Sequence, residues 1–141
     1  MKDCIFCKIV NGDIPSMKVY EDDICLAYLD INPDSDGHTL IIPKKHYKDI
    51  YDIPSDTLLH IYETAKKLMD MLKEKLGCDG FTLLQNNGSI QEVKHYHLHI
   101  KPHYKNNHPV KLVKDTNLIN DPKQVYNKIK AKFEKNNLKI K

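Results

Sequence analysis

Three histidines, His95, His97 and His99, alternate with Tyr96 and Leu98, and Ile100 follows. In an extended chain successive side chains point to opposite faces, so these three imidazoles share one face at intervals of about 6–7 Å. A helix would scatter them around its circumference. Tyr96, Leu98 and Ile100 then point the other way, into a core. Imidazoles placed like this support more than one chemistry. They can ligate a catalytic metal that keeps an open position. They can also act covalently: one ring attacks phosphorus, the phosphorus–nitrogen bond is labile enough to hydrolyse, and a neighbouring ring donates a proton to the leaving atom. A purely structural role would suit one such residue better than three in strict alternation. Asn86 and the backbone amides near Gly88 are candidates to hold phosphate oxygens.

Cys4 and Cys7 form a CxxC pair. In an intracellular chain that spacing marks a metal or redox motif more often than a structural disulfide. Cys25, inside the strand-like run Ile24–Tyr28, and Cys78, after Gly77, read as small core residues.

The elements that must position these groups are legible in order. Ile5, Phe6 and Ile9 are spaced for a short helix over Cys4–Val10, broken at Asn11-Gly12-Asp13. Lys18–Glu21 and Ile24–Asp30 read as a β-hairpin. Asn32–Gly37 is a loop by composition, and His38–Pro43 is a β-branched strand ended by proline. Ser55 suits an N-cap, and Leu58, Ile61, Tyr62, Ala65, Leu68, Met69 and Leu72 recur at helical steps up to Gly77. Gly80–Gln85 is the next strand, Asn86–Ser89 a turn, and the histidine strand follows. Lys105–Pro109 is a polar linker. Asp121-Pro122 opens a second helix with Val125, Ile129 and Phe133 on one face. One long helix against an antiparallel sheet, plus a terminal helix, is an α+β class.

A chain of 141 residues with 40% hydrophobic residues is long enough for one cored domain. No run of eighteen apolar residues implies a membrane span, and Met1-Lys2-Asp3-Cys4 has no apolar signal core behind it, so the expected address is cytoplasmic. Residues 1–100 carry eleven lysines against sixteen carboxylates, a net −5, whereas residues 101–141 carry eleven lysines against three, a net +8. There is no arginine and no interleaved aromatic reading motif, so the basic end reads as a solvated tail, not a nucleic-acid contact.

His38–Pro43 with Lys44-Lys45-His46, then Asn86-Asn87-Gly88, Gln91-Glu92-Val93 and His95–Ile100, occur together and in this order. The set resembles the histidine triad (HIT) family. Asp3–Ile9 and Tyr28–Pro33 resemble its Hint-like bacterial branch, and the likeness spans roughly residues 3 to 102. It implies a five-stranded antiparallel sheet with one long helix, a HIT domain over residues 1–104, a basic helical extension over 105–141, and a homodimer. It implies nucleotidyl transfer or hydrolysis at the α-phosphorus of purine nucleoside phosphoramidates or dinucleoside polyphosphates. By the same resemblance His97 is the nucleophile and His99 assists the leaving group. Asn86 and Gln91 hold phosphate oxygens or the scissile bridge, Asp30 binds the ribose hydroxyls, and Ile5, Phe6, Ile9 and Ile31 line the purine pocket. Cys4, Cys7, His46 and His95 match a structural zinc site, a filled Cys₂His₂ tetrahedron.

Three positions depart from the family pattern. The loop between Gly88 and Gln91 is two residues short, Lys101 stands where an apolar residue is usual, and Glu92 replaces a hydroxyl residue seen in some branches. His38 is assigned no role. Three other readings remain at this point: a zinc-stapled nucleotide-binding protein with little turnover, a metallohydrolase with its ion on the triad, and a non-enzymatic adaptor working through the basic tail.

Overall fold

Alternation within the strands decides which residues meet. The computed structural model of the chain describes residues 3–135. Its strands are β1 (Lys18–Glu21), β2 (Cys25–Leu29), β3 (Thr39–Pro43), β4 (Gly80–Leu84) and β5 (Leu98–His103), and its helices are α1 (Ile5–Val10), α2 (Ser55–Leu76) and α3 (Pro122–Lys135). The strands form one antiparallel sheet in the order β1-β2-β3-β5-β4. The chain falls into two compact units, Met1–Lys111 and Leu112–Lys141. The expected fold, a five-stranded antiparallel sheet with one long helix and a C-terminal helix, is the one observed.

Each face of the sheet has its own core. Cys25, Ala27, Ile41, Leu98 and Ile100 point to α2 and pack with Ile61, Ala65, Leu68 and Leu72. Leu26, Tyr28, Leu40 and Ile42 point the other way and pack with Cys4, Phe6 and Ile9 of the α1 region. Cys25 and Cys78 are buried, as small core residues should be. By the same alternation, His97 and His99 fall on the α1 face of the sheet.

Two boundaries differ from expectation. Ser55 is the first helical residue and not the cap: Pro54, extended at φ −63° and ψ 147°, holds the N-cap position, and its carbonyl accepts from Leu58 N–H at 3.0 Å. Proline's fixed φ suits that entry. At the other end Gly77 closes α2 in the left-handed region, φ 71°, as a glycine C-cap does.

The second difference concerns the histidines. The ladder does not span His95–Ile100; it begins at Leu98 and runs to His103. Leu98, His99 and Ile100 pair with Ile41, Leu40 and Thr39. Continued two residues further, the register would set Tyr96 opposite Pro43, which has no N–H to give. Tyr96 N–H turns instead to the Tyr47 carbonyl, at 2.6 Å. At the far end the strand passes through Pro102. Its carbonyl accepts from Ser35 Oγ at 2.7 Å, so its missing N–H faces the loop before β3, beyond the end of that ladder.

In the second unit, α3 starts after Asp121, whose carboxylate accepts from Lys123 N–H at 3.1 Å. Val125 and Ile129 lie exposed on it. The third residue expected on that face, Phe133, has its side chain outside the described residues.

Candidate active site

The three histidines share a stretch of chain but not a task. The His95 ring is fully buried; its Nε2 donates to the Pro43 carbonyl at 2.9 Å. A carbonyl only accepts, so that nitrogen carries the ring proton and Nδ1 presents a lone pair. Nδ1 lies 3.3 Å from Cys4 Sγ and 3.6 Å from Cys7 Sγ. Cys7 Sγ is also 3.3 Å from His46 Nδ1. The ligand atoms of Cys4, Cys7, His46 and His95 all lie within 4.8 Å of one another. Cys4 caps α1, and its sulfur accepts from Cys7 N–H at 3.2 Å. Two thiols and two imidazoles converging from α1, the segment after β3 and the approach to β5 fit a tetrahedral soft-metal site with all four positions taken by protein.

His97 is set the other way round. Its Nδ1 donates to the His95 carbonyl at 2.7 Å, which leaves Nε2 unprotonated. Phe6 packs edge-on against the ring, centroids 4.9 Å apart. His99 follows, centroids 5.0 Å from His97. His99 Nδ1 lies 2.9 Å from His38 Nε2. The backbone N–H of Asp34 donates to His38 Nδ1 at 3.0 Å, so the proton of His38 must sit on Nε2. His38 therefore donates to His99 Nδ1, and the His99 proton is left on Nε2. One ring thus offers a lone pair and its neighbour an N–H, on the same face.

Burial keeps these rings neutral. Desolvation pushes His99 down to about 4, helped by His97, His38 and Lys101 nearby. Desolvation also holds His97 and His38 below the ordinary imidazole value, against the pull of Asp30 and other acids. Ligand atoms of Asp30, His38 and His99 cluster within 4.8 Å, with an Asp30 oxygen 3.7 Å from His38 Nε2. Among the described residues, His95, His97 and His99 do not gather their ring nitrogens into one such cluster.

A family model described as the HIT domain matches residues 11–106. The chain belongs to the HIT family. It is 52% identical over 103 residues to a HIT-like protein of Methanocaldococcus jannaschii, covering 72% of this chain and 79% of that one. It is 46% identical over 101 residues to the adenosine 5'-monophosphoramidase of Saccharomyces cerevisiae, covering 70% and 61%. Among solved structures, a HIT family protein from Bacillus anthracis superimposes with a TM-score of 0.80 at 38% identity, covering 97% of this chain and 98% of the other.

Within this HIT fold the expected substrate contacts separate. Phe6 and Ile9 are buried beside Tyr28 and Leu40, whereas Ile5 is half-exposed and Ile31 is 79% exposed. Asp30 follows β2, one carboxylate oxygen accepting from Asn32 N–H at 2.8 Å. Asn86 lies just past β4, its carbonyl accepting from Gln85 Nε2 at 2.9 Å. The Gln91 side chain is turned inward. Its Nε2 donates to the Lys48 carbonyl at 2.7 Å and its Oε1 accepts from Gly88 N–H at 3.2 Å. The shortened loop closes into a single 3-10 turn, Gly88–Ile90, and the Gln91 amide serves as its clasp. The residue that sequence reasoning passed over is His38. Its position just before a β-branched strand carried no sign that its ring would meet His99. Among the described residues, no helix of this HIT protein is long and apolar enough to cross a membrane.

Proposed function

We propose that this protein is a nucleotidyl hydrolase or transferase acting at the α-phosphate of purine nucleoside phosphoramidates or dinucleoside polyphosphates. The supporting observation is the fixed tautomer pair: an Nε2 lone pair on His97 beside an Nε2–H on His99. His97 Nε2 attacks the α-phosphorus, and the bond from phosphorus to the bridging nitrogen or oxygen breaks. The leaving atom takes the proton of His99 Nε2. Water then cleaves the phosphorus–nitrogen bond and releases the nucleoside monophosphate. Phe6, Ile9 and the exposed Ile5 and Ile31 offer apolar walls to a base. The second Asp30 oxygen offers an acceptor to ribose hydroxyls, and Asn86 a donor near phosphate.

Zinc on Cys4, Cys7, His46 and His95 belongs to this reading as a structural ion. It would staple the first helix to the approach of β5 and fix the His95 carbonyl that orients His97. A reducing cytoplasm suits such a thiolate site. A homodimer belongs to the reading as well, joined along β4, a strand at the edge of the sheet where a second copy can extend the ladder.

Incubation with an adenosine phosphoramidate and trapping of adenylylated protein tests the mechanism. His97→Ala and His97→Asn should abolish both label and turnover. Full activity in either variant would falsify it. The inward Gln91 amide favours a second reading, a nucleotide binder with little turnover. Tight binding with neither label nor product in the wild-type chain would establish that one.

A further inference from the structure

Two more histidines lie beyond the cluster above. β5 ends at His103, and the chain reverses through a turn closed by paired bonds between Tyr104 and Asn107, at 2.9 and 2.8 Å. The reversal lays His108 against His103. Their rings are 5.3 Å apart at an interplanar angle of 38°, and their Nδ1 atoms face one another at 3.1 Å. The other nitrogen of His103 meets Thr82 Oγ1 on β4 at 2.7 Å. A hydroxyl can give or take a hydrogen bond, so the proton of His103 can rest on either nitrogen.

As neutral rings, one of the two donates across the pair. Moving each proton to Nε2 frees both facing Nδ1 lone pairs without loss of charge or proton, and a small rotation of the exposed His108 ring would let them converge on one ion. Imidazole nitrogen binds a first-row metal at about 2.0–2.1 Å; two nitrogens at this separation then subtend about 95–100° at the ion, between square and tetrahedral angles. Thr82 Oγ1 would accept from His103 Nε2–H, the outer-shell partner that a ligating histidine ordinarily has. His108 also lines a polar cleft of about 580 Å³ together with Asp34 and Asp36; Lys101 Nζ already pairs with Asp34 at 2.8 Å, which leaves the Asp36 carboxylate to favour a cation there.

We infer that His103 and His108 form a bidentate imidazole site for a divalent transition-metal ion, held through facing Nδ1 atoms with water completing the coordination. The site is separate from the Cys₂His₂ cluster and from the triad.

Nickel tests it. Tag-free full-length protein, as purified, is titrated with Ni²⁺ and followed by equilibrium dialysis and amide NMR. The expected result is uptake of one Ni²⁺ with paramagnetic broadening centred on Thr82, Tyr104 and Asn107. His103→Ala and His108→Ala should each weaken that uptake at least about tenfold, while His38→Gln leaves it unchanged. His108 is exposed, so its replacement should not disturb folding, and an unchanged circular dichroism spectrum would check that. Unaltered uptake in the two alanine variants would overturn the inference. So would broadening that centres on the triad and vanishes in His38→Gln, because the ion would then sit at the active site.

Discussion

His38 Nε2 donates to His99 Nδ1 across 2.9 Å, and the direction of that bond is imposed by the Asp34 backbone amide on the far side of the His38 ring. The geometry makes His38 a positioning residue: it fixes which nitrogen of His99 carries a proton without facing the reacting atoms. His38→Phe should therefore lower kcat by roughly ten- to a hundredfold while KM changes little. His38→Gln, whose side-chain amide can still donate to His99 Nδ1, should recover much of the loss. Steady-state kinetics on an adenosine phosphoramidate would check both, and equal damage in the two variants would count against the assignment.

The pH profile follows from the same bond. Protonating His99 at Nδ1 would remove the acceptor that His38 needs, and burial resists it, holding His99 down to about 4 and His38 below its ordinary value. His99 is then neutral at pH 7 and well into the acid range, and His38 keeps its neutral form to a pH below its ordinary value. The acid limb of kcat/KM should fall below the ordinary imidazole value near 6.5. A limb centred at or above 6.5 would mean that these rings are not desolvated in the working enzyme.

Gly37 delivers His38 to this place. Its φ is 85°, and a Cβ there would approach Leu76 Cδ1 at 2.7 Å and Leu72 Cδ2 at 3.3 Å. Gly37→Ala combines an unfavourable backbone with a crowded contact against α2, at a cost of roughly 2–3 kcal/mol. Thermal melts should show the loss of stability, and activity should drop by more than the unfolded fraction explains, since His38 shifts with the loop.

Much of this was legible because it follows from periodicity. The alternation of Leu98 and Ile100 with histidine, the helical steps from Leu58 to Leu72 and the Gly77 stop each report a local geometry that tertiary contacts left in place. What escaped depends on contacts between distant residues. His38 and His99 are 61 positions apart, and no local pattern marks one as the partner of the other. The resemblance assigns Gln91 to the phosphate and says nothing of the loop, where Gly88 N–H needed an acceptor and the Lys48 carbonyl a donor. The ladder began late because Pro43, adjacent in register but far in sequence, has no hydrogen to offer.

The CxxC pair gives a prediction that does not depend on catalysis. Protein purified without chelator should carry one zinc per chain by elemental analysis, and Cys7→Ala or His46→Ala should lose it. Chelation should lower the melting temperature, because α1 is held to the sheet partly through these four side chains. Metal-free protein with an unchanged melting temperature would rule out a structural ion.

Asp22 supplies the last test, on stability. Its carboxylate sits in the β1–β2 turn and accepts from Tyr20 O–H at 2.7 Å, from His60 Nε2 at 2.6 Å, and from the Ile24 and Cys25 amides at 2.8 Å each. Burial raises its pKa, but those four hydrogen bonds outweigh burial and hold it well below the usual aspartate range. A carboxyl depressed in the folded state binds protons more readily when unfolded. Its contribution is therefore complete above the ordinary value near 3.9 and is lost as pH falls toward the lower folded value. Asp22→Asn should melt several degrees below wild type at pH 7, and the gap should hold down to about pH 4 and then narrow as pH drops from about 4 to 2. A gap of constant size across that range would show that the ionised carboxylate is not what ties the hairpin to α2.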